Sequence, residues 1–295
     1  MADTPAPQPA PAAPATDAAP AAAAPVPESR PHVVEFLGVS KRFGDNTVIR
    51  DVTFTVEDRP ERGEFVTILG PSGCGKSTVL RLIAGLRPHH PATAGTVLVG
   101  GKPVESPGPD RGMVFQDYTS FDNRTVEDNV GFGLECQGVS RHERRARARE
   151  WIAKVGLNVD RDAHKYPAAL SGGMRQRVAI ARTLILGPRI ILMDEPFGAL
   201  DPATRLKMQE LLVKLWREAE ATVFFVTHSI EEAVYLGDRV YVFSAAPGTI
   251  VRQVPLPQSD APPQEKQRDP EFLDIVADLR NTLEKYQAHI TDAVD

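Results

Sequence analysis

Residues 70–77 have the types and spacing of a phosphate-binding loop. They read GPSGCGKS and match the pattern G-x-x-x-x-G-K-[ST] between a predicted strand and a predicted helix. Glycines let backbone N–H groups turn toward a phosphate, and the N-terminus of the helix adds a favourable dipole. Lys76 would reach the β- and γ-phosphates, and the Ser77 hydroxyl would bind Mg²⁺. The segment therefore predicts a nucleoside triphosphate site, and its full match disfavours a glycine-rich turn without a ligand.

The candidate nucleotide ligands include the whole loop and the residue after it. They are Gly70, Pro71, Ser72, Gly73, Cys74, Gly75, Lys76, Ser77 and Thr78. We interpret Cys74 as a small residue of the cradle and not as a nucleophile. Cys74 and Cys136 are the two cysteines of the sequence. Two cysteines are too few for a disulfide framework, and such a low number is typical of proteins in a reducing compartment.

An acidic pair and a histidine complete a candidate hydrolytic site. An apolar run ends in Asp194 and Glu195, at the predicted carboxyl end of a strand. A carboxylate there can bind Mg²⁺ through water, so Asp194 is a predicted metal ligand, while Glu195 would polarise the attacking water. His228 ends the next predicted strand and would hold the γ-phosphate. An isolated histidine is more often structural, but this position in an α/β sheet favours a role in the site.

A second glycine-containing segment precedes another predicted helix. Residues 170–174 read LSGGM, and Ser171, Gly172 and Gly173 would form a further backbone site for an anion. A phosphate-binding loop together with this motif resembles the ATP-binding cassette (ABC) ATPases, whose signature is LSGGQ. Met174 departs from that signature, but the serine and glycines that contact phosphate are retained.

Three further positions carry the resemblance, which covers roughly residues 33–255. Gln116 in VFQDY resembles the Q-loop of the family, and Asp201 in FGALD resembles its D-loop. Phe43 stands at the aromatic position that stacks on adenine. The family usually has tyrosine there, but stacking does not need the hydroxyl.

The resemblance implies a mechanism that needs two copies of the chain. In the family, two cassettes pair head to tail, and ATP lies between the phosphate-binding loop of one copy and the signature of the other. Ser171 and Gly173 would then contact ATP bound to the partner copy, and Asp201 would cross the interface. Gln116 would bind Mg²⁺ and report on the γ-phosphate. ATP binding would close the dimer, and hydrolysis would reopen it.

The elements that must position these residues indicate an α/β fold. Buried strands are predicted at 65–70, 189–195 and 222–228, and helices at 77–86, 201–220 and 229–237. This alternation is typical of a parallel sheet, whereas the apolar–polar alternation of residues 34–43 and 53–59 is typical of an antiparallel layer. With the resemblance, the prediction is a P-loop NTPase ABC cassette. It has a parallel-sheet core, an antiparallel β subdomain and an inserted α-helical subdomain at about 117–170.

The two ends of the sequence differ from its middle. Residues 1–32 are rich in alanine and proline and are predicted to form a disordered tail. The alternative, a signal peptide, would need a cationic start and an unbroken apolar stretch, which are not there. Residues 256–295 are predicted to be a linker and an amphipathic helix from Pro270, with Asp269 as N-cap. The apolar stripe of that helix either packs on the same domain or contacts a partner or a second copy.

Charge and hydropathy exclude some classes of function. There are 34 Lys and Arg against 39 Asp and Glu, and the net charge of −5 gives no general attraction to nucleic acid. No apolar run is long enough for a transmembrane helix. The basic run 141–150 is predicted to be a solvated helix face, with a contact to nucleic acid or lipid headgroups as the alternative.

The function favoured by the resemblance is ATP hydrolysis that powers an ABC importer. The segment LSGGMRQRVAIAR and the short cassette look most like the nitrate, sulfonate and taurine group. The few residues after the cassette argue against importers with a C-terminal β-barrel domain. The alternative is a cassette that acts on DNA, on the ribosome, in lipid transport or in iron–sulfur assembly.

The partners expected from this function are a second copy, a separate membrane permease and, indirectly, a solute-binding protein. No nucleic acid partner is expected, and the cofactors are ATP and Mg²⁺. The chain would lie at the cytoplasmic face of the cell membrane.

Overall fold

A computed structural model describes Met1 and residues 32–59, 62–117, 119–257 and 262–288, with the backbone alone for 287 and 288. The predicted N-terminal tail lies almost entirely outside the described residues. Within these ranges, no helix is both long and apolar enough to cross a membrane.

An antiparallel sheet with the strand order β2-β1-β4-β5 forms one layer. Its strands are β1 (His32–Phe43), β2 (Asn46–Glu57), β4 (Ala94–Val99) and β5 (Lys102–Pro103). The tight turn between β1 and β2 contains Gly44, whose φ of 58° favours glycine. Alternate residues such as Val34 and Phe36 are fully buried. The predicted antiparallel layer is therefore present.

A mostly parallel sheet with the order β10-β9-β3-β8-β7-β6 forms the second layer. Its strands are β3 (Phe65–Leu69), β6 (Arg111–Val114), β7 (Ile190–Asp194), β8 (Thr222–Thr227), β9 (Arg239–Phe243) and β10 (Ile250–Pro255). β3, β7 and β8 are buried at every residue, which explains their continuous apolar sequences. They are parallel neighbours, so their carboxyl ends meet at one edge. The sequence analysis did not predict β10, which pairs antiparallel with β9.

Helices follow the strands and form an insertion between β6 and β7. The helices that follow strands of the second sheet are α1 (Lys76–Ala84), α7 (Pro202–Ala219) and α8 (Ile230–Leu236). The insertion contains α2 (Val126–Val130), α3 (Phe132–Cys136), α4 (Arg141–Lys154), α5 (Val159–Asp162), a 3₁₀ turn at Pro167–Ala169 and α6 (Gly172–Leu184). The short helices lie where the sequence predicts a helical subdomain.

The basic run on α4 forms ion pairs within this helical segment. Arg145 and Arg149 both contact the Glu127 carboxylate, at 3.1 and 2.7 Å, and Glu127 is buried. Arg144 lies 3.4 Å from Glu135. Part of the cationic charge therefore compensates acids of the same chain, which favours the predicted helix face over a contact with nucleic acid or lipid headgroups.

The C-terminal segment packs on the same body as the cassette. α9 (Pro263–Lys266) precedes α10 (Pro270–Ala288), and α10 contacts α8. Within the apolar stripe, Phe272, Val276 and Leu279 are buried in the main core. Packing on its own domain therefore accounts for this part of the stripe.

Candidate functional site

The phosphate-binding loop connects β3 to α1 and contains backbone conformations that favour glycine. Gly73 and Gly75 have φ values of 79° and 94°. A Cβ on Gly75 would also lie 2.4 Å from Ile49 Cγ2, so the loop is pressed against β2. Cys74 is fully buried, and burial raises the pKa of its thiol. These properties suit a packing residue of the cradle rather than a nucleophile.

Lys76 folds back over the loop that precedes it. Its Nζ donates hydrogen bonds to the backbone oxygens of Gly70 and Pro71, both at 2.8 Å. The residue is only 4% exposed. Because both acceptors are neutral, they do not cancel the charge, and an anion that enters the loop would meet a poorly solvated cation.

Ser77 and Asp194 meet where α1 begins and β7 ends. Ser77 Oγ donates to Asp194 Oδ1 at 2.7 Å, and Arg81 Nη2 lies 3.5 Å from Asp194 Oδ2. Asp194 is 2% exposed, and burial raises the pKa of its carboxyl, opposed by Ser77 and Arg81. A hydroxyl beside a carboxylate is an oxygen donor set of the kind that Mg²⁺ prefers.

This donor set fits a magnesium ion that is shared with a nucleotide. Among the described residues, no three His, Cys, Asp or Glu side chains are grouped to hold a metal. Mg²⁺ commonly binds through one or two carboxylates and takes its remaining ligands from water and phosphate oxygens. The site therefore suits Mg²⁺ that arrives with a triphosphate better than a permanently bound metal.

Glu195 and His228 form a pair at the ends of neighbouring strands. His228 Nδ1 lies 3.0 Å from Glu195 Oε2. Glu195 has a φ of 45°, a strained conformation for a residue with a side chain, and its N–H donates to Val226 O on β8. The side chain of His228 is 56% exposed, so its ring is open to a ligand.

The phosphate-binding loop and the Glu195 carboxylate border a cleft of about 410 Å³. Its lining residues are Val48, Ser72, Gly73, Gly75, Lys76, Ser77, Thr78, Gln116 and Glu195. The structure therefore brings Gln116, the loop and Glu195 together, although Gln116 comes from the end of a different strand. Val48, on β2, is a lining residue that the sequence analysis did not identify.

Residues 171–173 and Asp201 do not line this cleft. Ser171 is exposed and caps α6, where its hydroxyl accepts a hydrogen bond from the backbone at 3.3 Å. Asp201 is exposed and caps α7, and hydrogen bonds from Thr204 lower the pKa of its carboxyl. The two helix starts are neighbours, because a Cβ on Gly173 would lie 2.9 Å from Thr204 Cγ2. The signature and D-loop residues thus share one exposed region.

Phe43 also lies outside the lining of the cleft. It is half-buried at the end of β1, with its ring centroid 5.2 Å from that of His89 in an edge contact. Lys41 Nζ lies 5.0 Å from the centroid of the same ring. These contacts give the ring a defined position at the hairpin.

Gly248 supports the phosphate-binding loop and was missed by the sequence analysis. Its N–H donates to Val48 O at 2.9 Å, and its carbonyl accepts from Arg50 N at 3.0 Å. A Cβ on Gly248 would lie 1.9 Å from Cys74 O. Gly248 is distant from the loop in sequence, and no spacing rule connects the two segments.

The fold and the cleft define a P-loop nucleoside triphosphatase, with the phosphate-binding loop and the candidate metal-binding and hydrolytic residues at the carboxyl ends of neighbouring parallel strands. The ABC transporter family profile matches residues 49–198. The chain belongs to the ABC transporter family and is one of its ATPases.

Relatives that are named as import ATP-binding proteins support this family membership. The chain is 46% identical to the nitrate import ATP-binding protein NrtD of Synechocystis over 240 residues, 79% of this chain and 88% of NrtD. It is 54% identical to the taurine import ATP-binding protein TauB of Rhizobium johnstonii over 199 residues, 68% of this chain and 74% of TauB. Among solved structures, the ATP-binding cassette MJ0796, a dimer with ADP and Pi, matches with a TM-score of 0.64 and 34% identity. That match covers 77% of this chain and all of MJ0796.

Proposed function

We propose that this chain is the ATP-hydrolysing subunit of an ABC importer and powers uptake of a small solute through a separate membrane permease. The observation that carries the ATPase role is the cleft where the phosphate-binding loop, Gln116 and Glu195 meet. The import role is supported by relatives named for nitrate and taurine import. A nitrate-, sulfonate- or taurine-like solute is the cargo that these names favour.

The loop and Lys76 would bind the phosphates of ATP. The N–H groups at the start of α1 carry the positive end of the helix dipole, and the Lys76 ammonium lies at the same place. On binding ATP, the ammonium would exchange the carbonyls of Gly70 and Pro71 for phosphate oxygens. Phe43 would stack on the adenine ring. The contact with His89 already holds the Phe43 ring at the hairpin, so the ring is preorganised for stacking.

Glu195 and His228 would act on the water that attacks the γ-phosphate. Glu195 borders the cleft and has a carboxylate oxygen that can accept a proton from water. His228 holds that carboxylate through Nδ1 at 3.0 Å, while its other ring nitrogen can face the γ-phosphate. The proposed division is that Glu195 polarises the water and His228 orients it.

Ser77, Gln116 and Asp194 would hold Mg²⁺ beside the phosphates. When bound, Mg²⁺ neutralises the negative charge that ATP brings and that builds up during phosphoryl transfer. Ser77 and Asp194 are already in contact, and Gln116 borders the same cleft. Gln116 would therefore also register whether the γ-phosphate is present.

A second copy of the chain would complete each ATP site. Ser171, Gly172, Gly173 and Asp201 lie at an exposed region away from their own cleft, which is what contact with the partner's ATP requires. The similarity to MJ0796, which was solved as a dimer, supports the same arrangement. The pair would bind a permease at the cytoplasmic face of the membrane, with a solute-binding protein as an indirect partner.

The proposal is tested by purifying the tagged full-length chain from detergent-solubilised native membranes and identifying its partners by mass spectrometry. We expect a multi-span permease, and the purified complex should hydrolyse ATP. The matched control is Lys76→Ala, which should purify with the permease but bind ATP weakly, because the phosphate countercharge is gone. A purely soluble set of partners would contradict the importer role, and normal hydrolysis by Lys76→Ala would contradict the site.

A further inference from the structure

Glu232 is a buried carboxylate close to His228 that no step of the proposed mechanism uses. It lies on α8 and is 6% exposed. Its Oε2 accepts a hydrogen bond from Thr227 Oγ1 at 2.5 Å, and its Oε1 accepts one from Gln209 Nε2 at 3.0 Å. Burial raises the pKa of this carboxyl, and the two hydrogen bonds oppose that effect. The two hydrogen bonds therefore offset part of the free-energy cost of burying the Glu232 carboxylate.

Thr227 joins Glu232 to the turn that carries His228. Thr227 is the last residue of β8, and its Oγ1 also accepts a hydrogen bond from Ser229 N at 3.0 Å. Ser229 Oγ in turn accepts from Glu232 N at 3.2 Å and so caps α8. The residues on both sides of His228 are therefore fixed by hydrogen bonds, while its exposed ring reaches Glu195.

Gln209 joins the same carboxylate to α7. It is buried, and it lies about two helical turns from Asp201, the N-cap of α7. The charge of Arg205, also on α7, stabilises the Glu232 carboxylate further. Because a buried network has few alternative partners, a shift at the start of α7 would be transmitted to the turn beyond β8.

We propose that Glu232 is a positioning residue for His228. Through Thr227 it holds the turn that carries the histidine, and through Gln209 it ties that turn to the helix that begins at Asp201. The inference rests on the role of His228 in the proposed function. A second copy that contacts Asp201 would, through this link, set the position of His228 in the first copy.

Two pairs of substitutions separate the hydrogen bonds from the shape of the side chains. Thr227→Ser keeps the hydroxyl and Thr227→Val removes it. Glu232→Gln keeps an oxygen that accepts from Thr227, and its NH2 can donate to the Gln209 oxygen once that amide turns over. Glu232→Leu removes both hydrogen bonds. In the full chain, we expect the Val and Leu variants to lower kcat at least about tenfold, with KM for ATP unchanged within about twofold. The Ser and Gln variants should stay within about threefold of the unsubstituted kcat. Glu210→Gln, an exposed change on α7, is the control for loss of a carboxylate.

The ring resonance of His228 in NMR spectra provides a readout that does not depend on ATPase activity. It should shift in Thr227→Val, Glu232→Leu and Gln209→Leu, and not in Thr227→Ser. The Thr227→Val/Glu232→Leu double variant should match the more impaired single variant, because both changes break one network. If Glu232→Leu does not fold, the Thr227 pair decides.

Equal rates and equal His228 resonances for the Thr227→Ser and Thr227→Val variants would overturn the inference. A change in KM for ATP without a change in kcat, in the Val and Leu variants, would also overturn the inference. An unsubstituted chain with no ATPase activity would instead count against the proposed function, and the resonance would then decide the inference alone.

Discussion

The charged residues Lys76 and Glu195 of the cleft are suited to different tasks, phosphate binding and hydrolysis. The Lys76 ammonium is buried against neutral carbonyls, so it is suited to hold phosphate. Glu195 is partly exposed at the cleft and has an exposed histidine as its partner. Removing the charge of Lys76 should therefore weaken ATP binding, and removing the charge of Glu195 should slow ATP hydrolysis.

Glu195→Gln should bind ATP with nearly unchanged affinity and hydrolyse it at least about a hundredfold more slowly, because an amide cannot take a proton from water. The glutamine retains the size of the side chain and an oxygen near His228. The variant should accumulate as an ATP-bound dimer, measured by light scattering after size exclusion. Glu210→Gln is the matched control, and a strictly monomeric Glu195→Gln chain at saturating ATP would contradict the two-copy mechanism.

The residues that sequence analysis identified without the family resemblance are mostly those joined by local patterns. Lys76 and Ser77 belong to one short motif, and Asp194 and Glu195 follow one apolar run. Gly248 could not be identified in this way, because its contact with Cys74 O forms only when two distant segments fold together. Gln209 and Glu232 were not identified for the same reason. The roles of all site residues stay predictions.

At the scale of elements, the loop after β9 supports the phosphate-binding loop. Gly248→Ala should weaken ATP binding, because its Cβ would overlap Cys74 O and the backbone of one loop must move. Overpacking costs about 1–3 kcal/mol, which corresponds to an increase of about fivefold to 150-fold in Kd if the nucleotide-bound loop bears it. Titration with a fluorescent ATP analogue measures the change. Ala246→Ser, an exposed change in the same loop, should have no effect, and equal affinities for both variants would contradict this role of Gly248.

The last helix, α10, allows a direct test of packing. Leu279 is fully buried in the core, whereas Leu273 on the same helix is 52% exposed. Leu279→Ala should lower the free energy of unfolding by about 2–5 kcal/mol through loss of contacts and a cavity. Leu273→Ala should lower it by less than about 1 kcal/mol. Chemical denaturation measures both, and the reverse order would mean that the exposed face of α10 carries the stability.

The elements that carry the candidate site were predictable from apolar runs and helical periodicity, whereas β4, β6 and β9 were not predicted. Continuous apolar runs located β3, β7 and β8, and the helix from Pro270 begins where the sequence indicates. The edge strand β10 was not predicted, because half-buried residues in an antiparallel edge give no continuous run. Phe43 was identified through the resemblance alone, and its contact with His89 has no sequence signal.

At the scale of the whole molecule, the cleft and the segment that we propose to contact the partner's ATP lie at different places. The cleft contains the loop and Glu195, while Ser171 caps α6 at an exposed region outside the cleft. If Ser171 serves ATP bound to the partner copy, defects in Ser171 and Glu195 should complement each other in a mixed dimer. If it serves its own chain, they should not.

Mixing Ser171→Asp with Glu195→Gln tests this arrangement. Aspartate can still cap α6, but it places negative charge where the signature should meet a phosphate. Each variant alone should be inactive, whereas a mixed dimer contains one site with the intact Glu195 of one copy and the intact Ser171 of the other. An equal mixture should recover about a quarter of the unsubstituted ATPase rate, since about half of the dimers are mixed and each has one working site. A mixture as inactive as its components, with mixed dimers confirmed by two affinity tags, would place Ser171 on its own chain's nucleotide and contradict the head-to-tail pairing.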